Sequence, residues 1–134
     1  MYSRRIQGAL AYTVDILRND GVDNALYAYS PGSEPQDTAQ YLKRYPGDEL
    51  IDLIGFDTYQ FERDTYLANL EKSLAIVDSI GKAHNKVIAI TETGYEGIPD
   101  PKWWTETLLP GIGNYPIAYV LVWRNARERI THFY

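Results

Sequence analysis

Apolar residues follow two alternating patterns along this chain. In the first, they recur every three or four positions, which is typical of amphipathic helices. The predicted helices cover residues 2–18, 37–45, 64–80 and 100–108. In the second, they form nearly unbroken short runs, which are typical of strands buried on both faces. The predicted strands cover residues 25–29, 50–57, 86–92 and 117–123. Helix and strand therefore alternate four times.

Polar and helix-breaking residues delimit these elements. The sequence Asn19-Asp20-Gly21 is expected to end the first helix, and Asp64 is placed to cap the third. Pro110-Gly111 is expected to stop the fourth helix. The apolar stripe of the third helix consists of Leu67, Leu70, Leu74, Val77 and Ile80.

Apolar strands separated by helices imply a parallel sheet covered by helices. Two architectures remain open from this pattern, a doubly wound open sheet and a (β/α)8 barrel. An open nucleotide-binding sheet would have a glycine-rich turn after a strand, and none of these strands has one. Polar and aromatic residues end the strands instead, which favours a barrel. A full barrel needs about 250 residues, so the 134 residues here predict half of one.

Composition excludes several classes of function. With 13 Lys and Arg against 18 Asp and Glu, the net charge of −5 argues against nucleic acid and anionic membranes as partners. No run approaches the roughly 20 apolar residues that span a bilayer, and no signal peptide is expected after Met1. The chain has no cysteine, so disulfides and thiolate metal sites are excluded. His84 and His132 are too far apart to predict a metal site, and a surface role is expected for His84.

Glu92 ends an otherwise apolar strand, and Gly94 follows it closely. A partly desolvated carboxylate at the mouth of a barrel suits nucleophilic attack on an anomeric carbon, as in retaining glycosidases. The residues allow an equally strong structural interpretation, in which Glu92 caps the next helix or pairs with Arg124. Both interpretations stay open at this point.

The other strand ends supply groups that would serve such a carboxylate. Tyr59 is placed to donate a hydrogen bond to Glu92, with Asp57 beside it. Trp123 offers an apolar platform for a sugar face, and Arg124 offers several donors to hydroxyl groups. A purely structural role for these four residues is the alternative interpretation.

Several motifs in this order and spacing resemble the C-terminal half of glycoside hydrolase family 26, the β-mannanase family. The segments with this resemblance are residues 12–18 with 21–22, 26–31, 45–48, 55–59, 91–94, 103–105, 108–110 and 119–126. The resemblance as a whole extends over nearly the whole length of the chain. The resemblance implies an α/β fold with four parallel strands, barrel strands five to eight, within a partial catalytic domain over residues 1–134.

The same resemblance implies a retaining mechanism on β-1,4-mannan without metal or cofactor. Glu92 matches the nucleophile of the family and Tyr59 the tyrosine that bonds to it. Asp57 matches a nearby aspartate, Trp123 a tryptophan of the subsite for the attacked sugar, and Arg124 an arginine of the neighbouring glycone subsite. Export to the cell surface, periplasm or medium is expected by analogy with the family.

Family members place their acid/base glutamate at the end of the fourth strand, whereas the first strand here corresponds to the fifth. We therefore expect a fragment with the nucleophile and without the acid/base, inactive alone and prone to self-association through its open face. The alternatives are a non-catalytic mannan-binding half-barrel, a related β-glucanase or β-xylanase, and a half-barrel with a structural role.

Overall fold

A computed structural model describes residues 2–61 and 65–123 of the chain. The helices are α1 (Tyr2–Asn19), α2 (Thr38–Leu42), α3 (Tyr66–His84) and α4 (Leu109–Ile112), the last preceded by a π-helical turn (Trp104–Leu108). The strands are β1 (Ala28–Tyr29), β2 (Leu53–Gln60), β3 (Val87–Tyr95) and β4 (Ile117–Val122). Over the described ranges, no helix is both long and apolar enough to cross a membrane.

The strands form one parallel sheet in the order β1-β2-β3-β4. Each strand therefore pairs with its neighbour in sequence, and a helix connects each pair. This arrangement confirms the predicted alternation of helices and parallel strands. The C-terminal ends of all four strands consequently lie along the same end of the sheet.

One face of the sheet packs against α3 to form the core. Phe56 and Ile90 on the strands, and Leu70, Leu74 and Val77 on the helix, belong to one buried cluster. The predicted stripe of α3 is wrong at Leu67, which is 49% exposed. Its side chain lies beside Gly111 of α4, in the first turn of α3.

The predicted strand over residues 25–29 is reduced to Ala28–Tyr29. The backbone N–H of Tyr27 donates to the Asp52 side chain over 2.7 Å, so it is not available to a strand partner, and Leu26 is exposed. The next strand begins at Leu53 rather than at residue 50, and it continues beyond Asp57 because Thr58, Tyr59 and Gln60 pair with β3. The second helix is also shorter than predicted.

Pro110-Gly111 does not end the fourth helix, contrary to the prediction. The N–H of Leu109 donates to the Trp104 carbonyl, five residues earlier. The turn before Pro110 is therefore π-helical, which is wider than an α-helical turn. This geometry avoids the clash between a proline ring and the carbonyl four residues before it. Helix α3 begins after Thr65, and the predicted cap residue, Asp64, lies outside the described residues.

Candidate active site

Polar side chains of three neighbouring strands meet on the sheet face opposite α3, near the C-terminal strand ends. They are Ser30, which directly follows β1, Asp57 and Tyr59 on β2, and Thr91 and Glu92 on β3. In parallel barrels this end of the sheet is where active sites lie. The structure therefore brings Asp57, Tyr59 and Glu92 together, as the sequence predicted.

A β-bulge in β3 determines which way Glu92 points. Ile90 pairs with Phe56 and Glu92 pairs with the next residue, Asp57, so β3 has one extra residue relative to β2. The same extra residue appears against β4. A bulge places two successive side chains on one face of a sheet. Thr91 and Glu92 therefore both face the site, while Thr93 returns to the helix side and bonds with Tyr66 at 2.8 Å.

Tyr59 fixes the position of Glu92. Its hydroxyl donates to Glu92 Oε2 over 2.7 Å. Burial, and then the hydrogen bond to the negatively charged Glu92, raise the pKa of Tyr59 above its ordinary value. The phenol therefore stays protonated at neutral pH and remains a donor. Because this bond is made to one carboxylate oxygen, Oε1 is left to contact a bound molecule.

Asp57 belongs to a second group of hydrogen bonds on the same face. The Thr91 hydroxyl donates to Asp57 Oδ1 over 2.9 Å, and the Ser30 hydroxyl lies 3.2 Å from the same oxygen. Ser30 and Thr91 also bond to each other at 2.6 Å. The sequence contained no indication of a role for Ser30 or Thr91, because the face on which Thr91 lies depends on the bulge.

Trp123 directly follows β4, and its backbone N–H donates to the Thr93 carbonyl over 3.3 Å. Val122 pairs with Thr93, which faces the helices. Because side chains alternate along an extended chain, Trp123 faces the side of Glu92, and it is 41% exposed. Arg124, the remaining predicted site residue, lies outside the described residues.

A cavity of about 660 Å³ opens beside the polar side chains of β2 and β3 described above. Asp57, Tyr59 and Glu92 line one part of it, and Glu34 and Phe61 belong to the connections that follow β1 and β2. Glu34 is fixed by the Thr58 hydroxyl, which donates to its Oε1 over 2.7 Å. The sequence analysis missed Glu34 and Phe61, because their loops have no motif of their own. The cavity is of the size that takes a small organic ligand such as a sugar.

Within the described residues, no three His, Cys, Asp or Glu side chains lie close enough to hold a metal ion. His84 is at the opposite end of the sheet, at the end of α3, where its Nδ1 lies 2.9 Å from Asp48 Oδ1. It is partly exposed, in line with the expected surface role.

Comparisons with known proteins point to one family. A family model for glycosyl hydrolase family 26 matches residues 7–128. The sequence is also 32% identical to a mannan endo-1,4-β-mannosidase of Bifidobacterium adolescentis, over 85% of this chain and 13% of that protein.

Solved structures show the same similarity. A family 26 β-mannanase from Bacteroides ovatus is 56% identical and superposes with a TM-score of 0.92, over 98% of this chain and 38% of its own. The catalytic domain of an endo-β-1,4-mannanase from Bacillus sp. JAMB-750 is 31% identical with a TM-score of 0.84, over 98% of this chain and 37% of its own. The chain thus spans less than two fifths of each relative. Against these (β/α)8 barrels, the described fold is a partial barrel, as predicted.

Proposed function

Because this chain belongs to glycosyl hydrolase family 26, we propose that it is the nucleophile-bearing part of a retaining endo-β-1,4-mannanase. The hydrogen bond between Tyr59 and Glu92 is the observation that supports this most directly. It leaves Glu92 partly exposed beside a cavity at the strand ends, with one carboxylate oxygen available for attack. The related proteins named as mannanases support the choice of β-mannan as substrate.

In the proposed mechanism, Glu92 Oε1 attacks the anomeric carbon of a bound mannosyl unit. A covalent bond forms between this oxygen and the sugar, and the glycosidic bond breaks, with its electron pair leaving on the aglycone oxygen. Asp57 accepts a hydrogen bond from a sugar hydroxyl, and Trp123 packs against a sugar face. We assign to Arg124 hydrogen bonds in the neighbouring glycone subsite.

A retaining glycosidase also needs a second carboxyl group, about 5–5.5 Å from the first, to protonate the leaving group. We assign β1–β4 to barrel strands five to eight and residues 1–134 to a partial catalytic domain. The acid/base glutamate would then be at the end of strand four. Loss of acid/base help alone slows turnover about 10²- to 10⁴-fold. Lost substrate contacts would slow it further, so we expect residues 1–134 by themselves to be inactive on mannan. No cofactor or metal has a role in this mechanism.

An activated substrate tests the nucleophile separately from the acid/base. Dinitrophenolate leaves without being protonated, so a 2,4-dinitrophenyl 2-deoxy-2-fluoro-β-mannobioside needs Glu92 alone to form its covalent adduct. We expect mass spectrometry to find the fluoro-mannobiosyl group on the peptide that contains Glu92. Glu92→Gln should abolish the adduct. Labelling of the wild-type chain at another residue would contradict the assignment of Glu92 as the nucleophile. Binding of the sugar by the wild-type chain without any adduct would also contradict it.

Binding measurements separate the alternative functions. The open cavity lined by Tyr59 and Phe61 also suits a non-catalytic mannan-binding half-barrel. Such a protein would bind mannotetraose with the same affinity as its Glu92→Gln variant and form no adduct. A β-glucanase or β-xylanase would prefer the corresponding gluco- or xylo-configured sugar. A half-barrel with a structural role would bind none of these sugars.

The open edge of the sheet supports a further part of the proposal. On β4, Tyr119, Leu121 and Val122 are exposed apolar side chains, and exposed strand edges of this kind pair with other chains. We expect the 134-residue chain to self-associate, which sedimentation at increasing concentration would detect as a rise in mass. Export from the cell is proposed from the family alone.

A further inference from the structure

We propose that Ser30 and Thr91 are positioning residues that orient the Asp57 carboxylate toward a hydroxyl group of the bound sugar. The inference depends on the proposed function, because it concerns how the same site binds its saccharide. It assigns roles to two hydroxyl side chains that contact Asp57 and are not among the residues that line the cavity.

The hydrogen-bond geometry restricts Asp57 to one orientation. Both hydroxyls lie within 3.2 Å of Oδ1, and they lie 2.6 Å from each other. The three contacts share two hydroxyl protons, so Ser30 donates either to Thr91 or directly to Asp57. In each arrangement Oδ1 accepts at least one hydrogen bond from this pair. Bonds in such a chain polarise and strengthen one another, particularly when they end on a carboxylate.

The second oxygen, Oδ2, takes no part in the contacts with Ser30 and Thr91. It lies beside Gly32, where an added Cβ would be 3.7 Å from Oδ2. Both Gly32 and Asp57 line the cavity that also contains Glu92. A sugar hydroxyl in the cavity can therefore donate to Oδ2 without competing with Ser30 or Thr91.

Two features of the backbone make room for this arrangement. The bulge in β3 turns Thr91 to the same face as Glu92, so its hydroxyl reaches across to β2. Gly55, on β2, leaves space for the Thr91 side chain, because a Cβ there would lie 2.5 Å from Thr91 Cγ2. Thr91 is almost completely buried, which shields its bond to Asp57 from water.

Burst kinetics with 2,4-dinitrophenyl β-mannobioside on the 134-residue chain test this inference. The burst rate constant reports the attack by Glu92, and the substrate concentration at half-saturation reports binding. A hydroxyl that orients Asp57 equally in the ground and transition states affects binding alone. Thr91→Val should therefore raise the half-saturation concentration on the order of tenfold, with the burst rate constant nearly unchanged.

Matched variants separate the hydroxyl from the shape of the side chain. Thr91→Ser retains the hydroxyl and should restore most of the affinity lost in Thr91→Val. Ser30→Ala should weaken binding less than Thr91→Val, because its contact with Asp57 is the longer one. In an Asp57→Asn background, Thr91→Val should have little further effect, since the two residues act as a unit.

Each result decides between clear outcomes. If Thr91→Val and Thr91→Ser bind equally well, or equally poorly, the hydroxyl has no positioning role and the inference is overturned. A fall in the burst rate constant with unchanged half-saturation would mean that Thr91 acts through Glu92 instead. If the wild-type chain neither reacts with nor binds the mannobioside, the proposed function itself is wrong. Normal reaction at Glu92 with additive effects of Thr91 and Asp57 would overturn the inference alone.

Discussion

The Tyr59 hydroxyl donates to Glu92 Oε2 over 2.7 Å, although 33 positions separate these residues along the chain. The contact exists because β2 and β3 are parallel neighbours and Tyr59 lies two residues beyond the partner of Glu92. It places a permanent donor beside one carboxylate oxygen. The pair is therefore the part of the site whose geometry most directly constrains the chemistry.

Loss of that donor should slow the attack by Glu92. In Tyr59→Phe, the carboxylate loses its orienting bond while the ring and its packing remain. We expect the burst rate constant with the dinitrophenyl mannobioside to fall by roughly 10- to 100-fold, with a smaller change in half-saturation. Tyr12→Phe, on the exposed side of α1, is the control. Equal burst rates in the two variants would show that Tyr59 only packs.

Gly55 should not tolerate a side chain. In Gly55→Ala, the new Cβ would lie 2.5 Å from Thr91 Cγ2 and 2.9 Å from the Ala89 carbonyl oxygen, both in the middle of the sheet. We expect the free energy of unfolding in urea to fall by about 1–3 kcal/mol. In the matched variant Gly8→Ala, the Cβ meets nothing within 4 Å in α1, so stability should rise by about 0.5–1 kcal/mol. A stable Gly55→Ala would contradict the close approach of β2 and β3.

The two leucines Leu67 and Leu74 should differ in their contribution to stability, although both belong to the apolar stripe predicted for α3. Leu74 is fully buried against the sheet, whereas Leu67 is about half exposed. Leu74→Ala leaves a cavity and should cost about 2–5 kcal/mol in urea unfolding. Leu67→Ala should cost less than about 1.5 kcal/mol because water already reaches much of the side chain. Similar losses in both variants would mean that Leu67 is buried in the folded protein.

Acid should weaken the contact between Asp48, in the connection from α2 to β2, and His84 at the end of α3. Hydrogen bonds from Tyr45, and then from His84, lower the pKa of Asp48 below its ordinary value of 3.8. A carboxyl group with a lowered pKa stabilises the fold above its unfolded-state pKa, and this contribution is lost as the pH falls through the folded-state value. We therefore expect the Tm to decrease as the pH is lowered below about 4.

Asp48→Asn removes the titrating group and should make the Tm less sensitive to pH in that range. Asp23→Asn, at an exposed position outside the helices and strands, is the matched control. If both variants show the acid sensitivity of the wild type, the bonds from Tyr45 and His84 do not stabilise the protein.

Local patterns were sufficient to predict the architecture. Apolar spacing predicted α1 and α3, and the apolar runs of β2, β3 and β4 predicted strands of a parallel sheet. These patterns are reliable because a helix or strand that is buried on a given face must place apolar residues there at a fixed period. The boundaries were less accurate, since they depend on contacts such as that between Tyr27 and Asp52.

The sequence by itself determined the helix–strand alternation and the position of Glu92, Asp57 and Tyr59 near strand ends. Only the tertiary structure decided that the bulge turns Thr91 and Glu92 to one face, that Ser30 joins Asp57, and that the last helix passes through Pro110. Local periodicity cannot specify these features, because a side chain's direction after a bulge depends on the register with neighbouring strands. That register is set by hydrogen bonds between strands about 25 to 35 residues apart in sequence.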